Sequence, residues 1–280
     1  MVHSSFPKVL PVRPPEDKLD CNEGLHPHLP HAPCVVCIYG SYRSGKSNLI
    51  MQFLANPDFM RSRMDKVVLI SPTALNDDTF RHVVDDDDVE IISEYSDDWL
   101  NAFLQFQMET PREERSSVMM IADDALQYIK PRGRGSALTN LCTKFRHYLG
   151  GKDRGGYLMY VSQHFKGLPP VIRCNTGYMI IMKIPNIQVL KDMAFELDGF
   201  LNGNFITLYS YCIYNEPYSF LSIDMRENPP ICYLRFEKPI FQGRWLIPEP
   251  PKADINTIMQ PKDELKSNLN TENVDLEKKS

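Results

Sequence analysis

The sequence predicts an α/β domain with a mainly parallel central sheet flanked by helices and closed by a C-terminal β-hairpin. Three observations predict it. Short unbroken apolar runs have the length of strands buried on both faces. Segments with apolar residues at helical spacing alternate with them. A glycine-rich loop joins the first run to the first such segment.

In chain order, residues 1–33 are rich in Pro and His without a period and read as an extended arm. Residues 34–39 (CVVCIY) are the first strand. Residues 45–55 form a helix with Leu49, Ile50, Phe53 and Leu54 on one face. Strands follow at 66–71 and, after an acidic surface loop at Asp85–Asp88, at 89–93. Trp99, Leu100, Phe103, Leu104 and Met108 mark a helix over 97–108. Residues 117–122 (SVMMIA) are a strand, 137–149 a helix, and 157–162 and 178–184 strands. Val189, Leu190, Met193 and Leu197 give a helix over 186–198. Residues 204–214 and 218–224 are expected to pair as a hairpin turning at Asn215-Glu216-Pro217. The domain is expected to span 34–249; after residue 250 few apolar anchors remain, and 250–280 reads as a largely disordered tail.

Composition bounds the function. The chain has 280 residues, 42% of them hydrophobic, enough for one sizeable core. A formal net charge of −5 argues against a uniformly basic nucleic-acid coat protein, so any nucleic-acid contact must come from a local patch. Seven cysteines, an odd number scattered through apolar segments, fit reduced buried thiols better than a disulfide framework. Cys34 and Cys37 have a C-x-x-C spacing, but on a strand they point to opposite faces. The chain has no apolar run of membrane-spanning length and no signal architecture at its start, so a soluble protein is expected.

The sharpest chemical signal is Gly40-Ser41-Tyr42-Arg43-Ser44-Gly45-Lys46-Ser47, a full G-x-x-x-x-G-K-[ST] pattern between a strand and a helix. Its glycines let backbone N–H groups wrap anionic oxygens, and the helix start adds partial positive charge. Lys46 would reach the β- and γ-phosphates of a nucleoside triphosphate, and the Ser47 hydroxyl would ligate Mg²⁺. Arg43, inside the loop, is placed to touch phosphate as well.

Such a site needs a carboxylate at the end of a buried strand. Asp123 and Asp124 follow the 117–122 strand, Asp123 as the Mg²⁺ partner and Asp124 to orient and polarise the attacking water. Many motor ATPases carry Glu in the second place; Asp is one methylene shorter and must hold the water closer. Gln163, at the tip of the 157–162 strand, can sense the γ-phosphate through its amide.

These motifs in this order, together with Phe145-Arg146-His147 and Leu168-Pro169-Pro170-Val171-Ile172-Arg173-Cys174-Asn175, resemble the FtsK–HerA superfamily of P-loop ATPases. The resemblance is nearest to its viral genome-packaging branch, found in poxviruses and other large DNA viruses, and runs over roughly residues 25–185. It implies a RecA-like core, a homo-oligomeric ring, and ATP hydrolysed between subunits to move double-stranded DNA into a preformed capsid. It further implies a capsid or portal-vertex partner and a location in the virion or at the site of virus assembly. A ring motor needs an arginine reaching across the subunit boundary, and Arg146 and Arg173 both lie in shared motifs.

Lys130, Arg132, Arg134, Lys144, Arg146, Lys152 and Arg154 fall between the acidic pair and Gln163, among glycines, and could track DNA phosphates from mobile loops. The alternatives are another P-loop enzyme, such as a kinase or GTPase, a non-enzymatic capsid component, or a cellular DNA motor of the same superfamily. No N-K-x-D guanine-reading motif is present, and the intact Lys46, Ser47 and Asp123 argue for retained catalysis.

Overall fold

The structure is a computed structural model and describes residues 22–81, 87–129, 135–151, 154–214 and 216–255. Among them are nine strands in one sheet: β1 (Cys34–Tyr39), β2 (Lys66–Ile70), β3 (Val89–Ile92), β4 (Val118–Asp123), β5 (Tyr157–Ser162), β6 (Tyr178–Ile181), β7 (Leu221–Asp224), β8 (Ile231–Leu234) and β9 (Lys238–Gln242). Their order is β3-β2-β4-β5-β1-β6-β7-β8-β9. The first six in that order are parallel, and β6 to β9 run as an antiparallel meander. The predicted α/β class and mainly parallel sheet are what the structure has.

The helices are α1 (Lys46–Ala55), α2 (Asp97–Glu109), α3 (Ala137–Leu141), α4 (Phe145–Tyr148), α5 (Pro170–Asn175), α6 (Ile187–Leu201) and α7 (Phe205–Ile213). Side chains alternate between the two faces of the sheet, as the period of two requires. In β1, Cys34, Val36 and Ile38 join the core under α1, whereas Val35, Cys37 and Tyr39 join the core under the other helices. Cys34 and Cys37 thus do point to opposite faces. Cys174, unlike the other described cysteines, is exposed. In α1, Leu49, Ile50, Phe53 and Leu54 are buried on one face, as their spacing predicts. Phe53 is fully buried, so truncating it to Ala should cost about 3–5 kcal/mol.

Local chemistry sets the helix ends. The Ser96 hydroxyl accepts from Trp99 N at 3.1 Å, and Asp97 and Asp98 complement the N-terminal dipole of α2. Asn186 caps α6 in the same way, accepting from Gln188 N at 2.9 Å, and Asn202 with φ 53° ends it in the left-handed region.

Two sequence expectations need correction. The 137–149 helix is two short helices. The chain leaves helical geometry at Cys142–Lys144, where Thr143 N and Lys144 N bond three residues back, and Lys144 adopts φ −123°. Leu138, Leu141, Cys142, Phe145 and Leu149 stay on one buried stripe across the break, so periodicity alone does not reveal it. The expected 204–214 strand is instead α7. Its Ile, Thr and Tyr residues favour strands, but Phe205, Leu208, Tyr209, Cys212 and Ile213 are buried at helical spacing, and packing overrides propensity. A C-terminal antiparallel hairpin is present, built one element later from β7 and β8.

Of the 1–33 segment, the described part seats Leu25, Leu29 and Ala32 in the α1-side core. Tyr157 and Tyr178 donate their hydroxyls to Pro30 O and His28 O at 3.0 and 2.6 Å. At the other end Ala253 N reaches Thr207 Oγ1 at 3.3 Å. Among the described residues no helix is long and apolar enough to cross a membrane.

Candidate functional site

Parallel strands bring their C-terminal ends to one edge of a sheet, and the loops leaving that edge are where such folds bind ligands. Here the register places Tyr39 beside Ser162 and Asp123 beside Val161, so the glycine-rich loop, the acidic pair and Gln163 all leave the same edge. The strand bearing Gln163 lies between the loop strand and the acidic strand. A cleft of about 530 Å³ opens there.

The loop is braced on both sides. Gly40 N donates to Ser162 O at 3.2 Å and Ser41 N to Lys183 O at 3.0 Å. A Cβ on Gly40 would collide with the Ser44 hydroxyl, which is why this position has none. Arg43 (φ 59°) and Gly45 (φ 101°) take left-handed conformations that curl the backbone into the start of α1. Tyr42, Arg43, Gly45, Lys46 and Ser47 line the cleft. Gly40 and Ser41 lie behind them, and Ser44 is buried with its hydroxyl against Met182 Sδ at 3.7 Å.

Lys46 Nζ donates to Gly40 O at 2.9 Å and Ser41 O at 2.7 Å. Burial pushes its pKa down, against the pull of Asp123 and Asp124. Asp123 is buried, and that burial, followed by repulsion from Asp124, raises its carboxyl to about 6; Lys46 lowers it only in part. Burial thus shifts both ions toward neutrality despite the opposite charge beside each. Asp124 is exposed at a left-handed φ of 49°, a conformation aspartate tolerates better than most residues. Ser47 and Asp123 bring hard oxygen donors to the same cleft, a set that fits Mg²⁺ beside phosphate oxygens.

Gln163 lines the cleft and is exposed. Thr73, Asp77 and Thr79, from the loop after β2, and Tyr218, from the segment after α7, line it too. Sequence reasoning missed these four. The signal for the first three was available: β2 is parallel and ends at the same edge, so the loop after it belongs to the site.

The two arginines lie elsewhere. Arg146 is exposed on α4, which runs toward Leu149, whose carbonyl accepts from Val118 N at the start of β4. It does not line the cleft and stands toward the opposite edge of the sheet. Arg173 is engaged within its own subunit. Its Nε and Nη2 meet Glu196 Oε2 and Oε1 at 2.9 and 2.8 Å, Leu168 O accepts from Nη1, and the guanidinium stacks 5.1 Å from the Phe165 ring centre. Lys144 and Arg154 are exposed, whereas Lys130, Arg132, Arg134 and Lys152 lie outside the described residues.

No protein-family model and no curated protein matches the chain. Solved structures do. The DNA-packaging ATPase B204 of Sulfolobus turreted icosahedral virus superposes with a TM-score of 0.54 at 16% identity, over 72% of this chain and 97% of that one. The chain has the fold of a viral genome-packaging NTPase. The genome-packaging NTPase B204 of Sulfolobus turreted icosahedral virus 2 gives TM-scores of 0.53 with sulfate and 0.52 with ATP-γ-S, at 18% and 16% identity. These cover 75% and 72% of this chain and 98% and 97% of theirs. The packaging-NTPase fold therefore accounts for nearly all of the solved relatives and leaves about a quarter of this chain outside the match.

Proposed function

We propose that this protein is an ATPase of the FtsK–HerA viral packaging type, which uses ATP hydrolysis to drive double-stranded DNA into a preformed capsid. The observation that carries this reading is the gathering of Lys46, Ser47, Asp123, Asp124 and Gln163 around one cleft, on a fold similar to that of B204.

In this reading the Gly40–Ser47 backbone wraps the triphosphate, and Lys46 leaves the loop carbonyls for the β- and γ-phosphates. Mg²⁺, when held by Ser47 and Asp123, neutralises charge on the phosphate oxygens. Asp124 accepts a hydrogen bond from the attacking water and aligns it with the γ-phosphorus. Gln163 contacts the γ-phosphate and registers its departure.

Arg146 is assigned as the finger supplied to the neighbouring subunit of a homo-oligomeric ring, because it is exposed and outside its own cleft. Arg173 is assigned a positioning role, because its fork is already filled by Glu196. Basic residues such as Lys144 and Arg154 hold DNA phosphates without reading bases. The ring would dock on a capsid or portal-vertex protein, in the virion or at the site of assembly.

The test is steady-state ATP turnover with and without long duplex DNA. Turnover should rise with DNA and the rise should shrink with salt. A flat response at every salt concentration, or unchanged turnover in Lys46→Ala, would overturn the reading.

A further inference from the structure

A linear triphosphate that presents its γ end to Asp123, Asp124 and Gln163 must leave the loop on the other side, toward β6 and β7. A second pocket of about 500 Å³ lies there, a usual ligand-site size, between Arg43 and Ser44 on one wall and Tyr214 and Glu216–Ser219 on the other. Arg43 and Tyr218 line both this pocket and the phosphate cleft, so the two adjoin.

Two features of this wall need a reason. Tyr218 is held at φ 58°, a conformation bulky side chains rarely adopt, yet the residue is 71% exposed beside the start of α1. A Cβ on Gly45 would stand 3.4 Å from the ring edge. Ser219 is 3% exposed and its hydroxyl has no hydrogen-bond partner, an arrangement native proteins seldom leave without a role. The turn is braced from outside: Arg235 bonds Glu216 at 2.9 Å, and Arg235 N bonds Phe220 O at 2.9 Å. A strained, exposed aromatic and a serine whose buried hydroxyl is unused thus line one pocket.

We infer that this pocket seats the nucleoside of the nucleotide, with the base stacked on the Tyr218 ring and the Ser219 hydroxyl hydrogen-bonded to the nucleoside. The inference rests on the proposed ATPase reading and adds to it the residues that recognise the part of the substrate away from the phosphates. An aromatic platform reads any base through its π-face, so Tyr218 contributes affinity more than selectivity among bases.

The experiment compares Mg²⁺-ADP with Mg²⁺-pyrophosphate, which shares the phosphates and lacks the nucleoside, by calorimetric titration of the full chain. Tyr218→Ala should weaken ADP about 5- to 100-fold and leave pyrophosphate within about twofold. Tyr218→Phe should keep ADP binding, and Ser219→Ala should weaken ADP about fivefold without touching pyrophosphate. If Tyr218→Ala fails to fold, Tyr218→Leu against Tyr218→Phe makes the same comparison at similar size. Unchanged ADP affinity in the Tyr218 and Ser219 variants, or equal loss of ADP and pyrophosphate, would overturn the inference. Lys46→Ala separates it from the parent reading: loss of both ligands keeps that reading, and retention of both removes it.

Discussion

Two pairs of opposite charge within one molecule are treated in opposite ways. Arg173 and Glu196 form a two-pronged pair at 2.8 and 2.9 Å, capped by the Phe165 ring, and fasten α5 to α6. Lys46 and Asp123 share a cleft but not a bond: the ammonium holds loop carbonyls, and burial drives Lys46 down and Asp123 up to about 6. A filled pair is structural because its partners have no capacity left. An unfilled one is costly to keep, which fits the proposed role of this cleft in holding a charged ligand.

The comparison can be broken by substitution. The largest effect expected is that of Lys46→Ala, which should cut ATP turnover more than about 10³-fold while leaving the urea midpoint nearly unchanged. A large loss of stability would place Lys46 with the fastening pair instead. Arg146→Ala should lower turnover about 10³-fold with a stability change within about 0.5 kcal/mol. Mixing it with Lys46→Ala subunits should restore part of the rate, and no recovery in a mixed assembly would remove the cross-subunit role.

Arg173→Ala should do the reverse, costing about 3 kcal/mol in urea unfolding because Glu196 is left partly buried without its partner. Arg173→Ala of wild-type stability would return Arg173 to the pool of finger residues.

The smallest effect is that of Asp123→Asn, which should stabilise the metal-free protein by roughly 2 kcal/mol at pH 8. Asp123 has a folded pKa above its unfolded one, so its ionisation opposes folding. The cost is full above about pH 6, shrinks as the pH falls, and is gone only below 3.8, where both states are protonated. The gain should fade over that window; a gain independent of pH would mean burial of charge is not its source.

Much of this was readable from residues alone, for identifiable reasons. CVVCIY, KVVLI and YLMYVS are buried on both faces, and such strands announce themselves as unbroken apolar runs. The loop at Gly40–Ser47 is legible because its chemistry demands residue types at fixed spacing. Helix α7 was not legible, since FITLYSYCI favours strands one residue at a time and becomes helical through packing on the core. Nor was Tyr218, which lies far from the motifs in sequence and reaches the cleft by topology. The setting of Arg173 depended on Glu196, a partner 23 positions away that no local pattern links to it.

The position of β5 has a mechanical consequence. It is wedged between β1 and β4 with all six residues buried, so it behaves as a fixed rail. Displacement at Gln163 must be taken up beyond Ser162, whose hydroxyl clasps His164 N and O at 3.0 and 2.9 Å. The next side chain, Phe165, touches both the Tyr39 ring and the Arg173 guanidinium. The segment after Gln163 is thereby tied at once to the end of β1 through Tyr39 and to α5 and α6 through Arg173 and its partner Glu196.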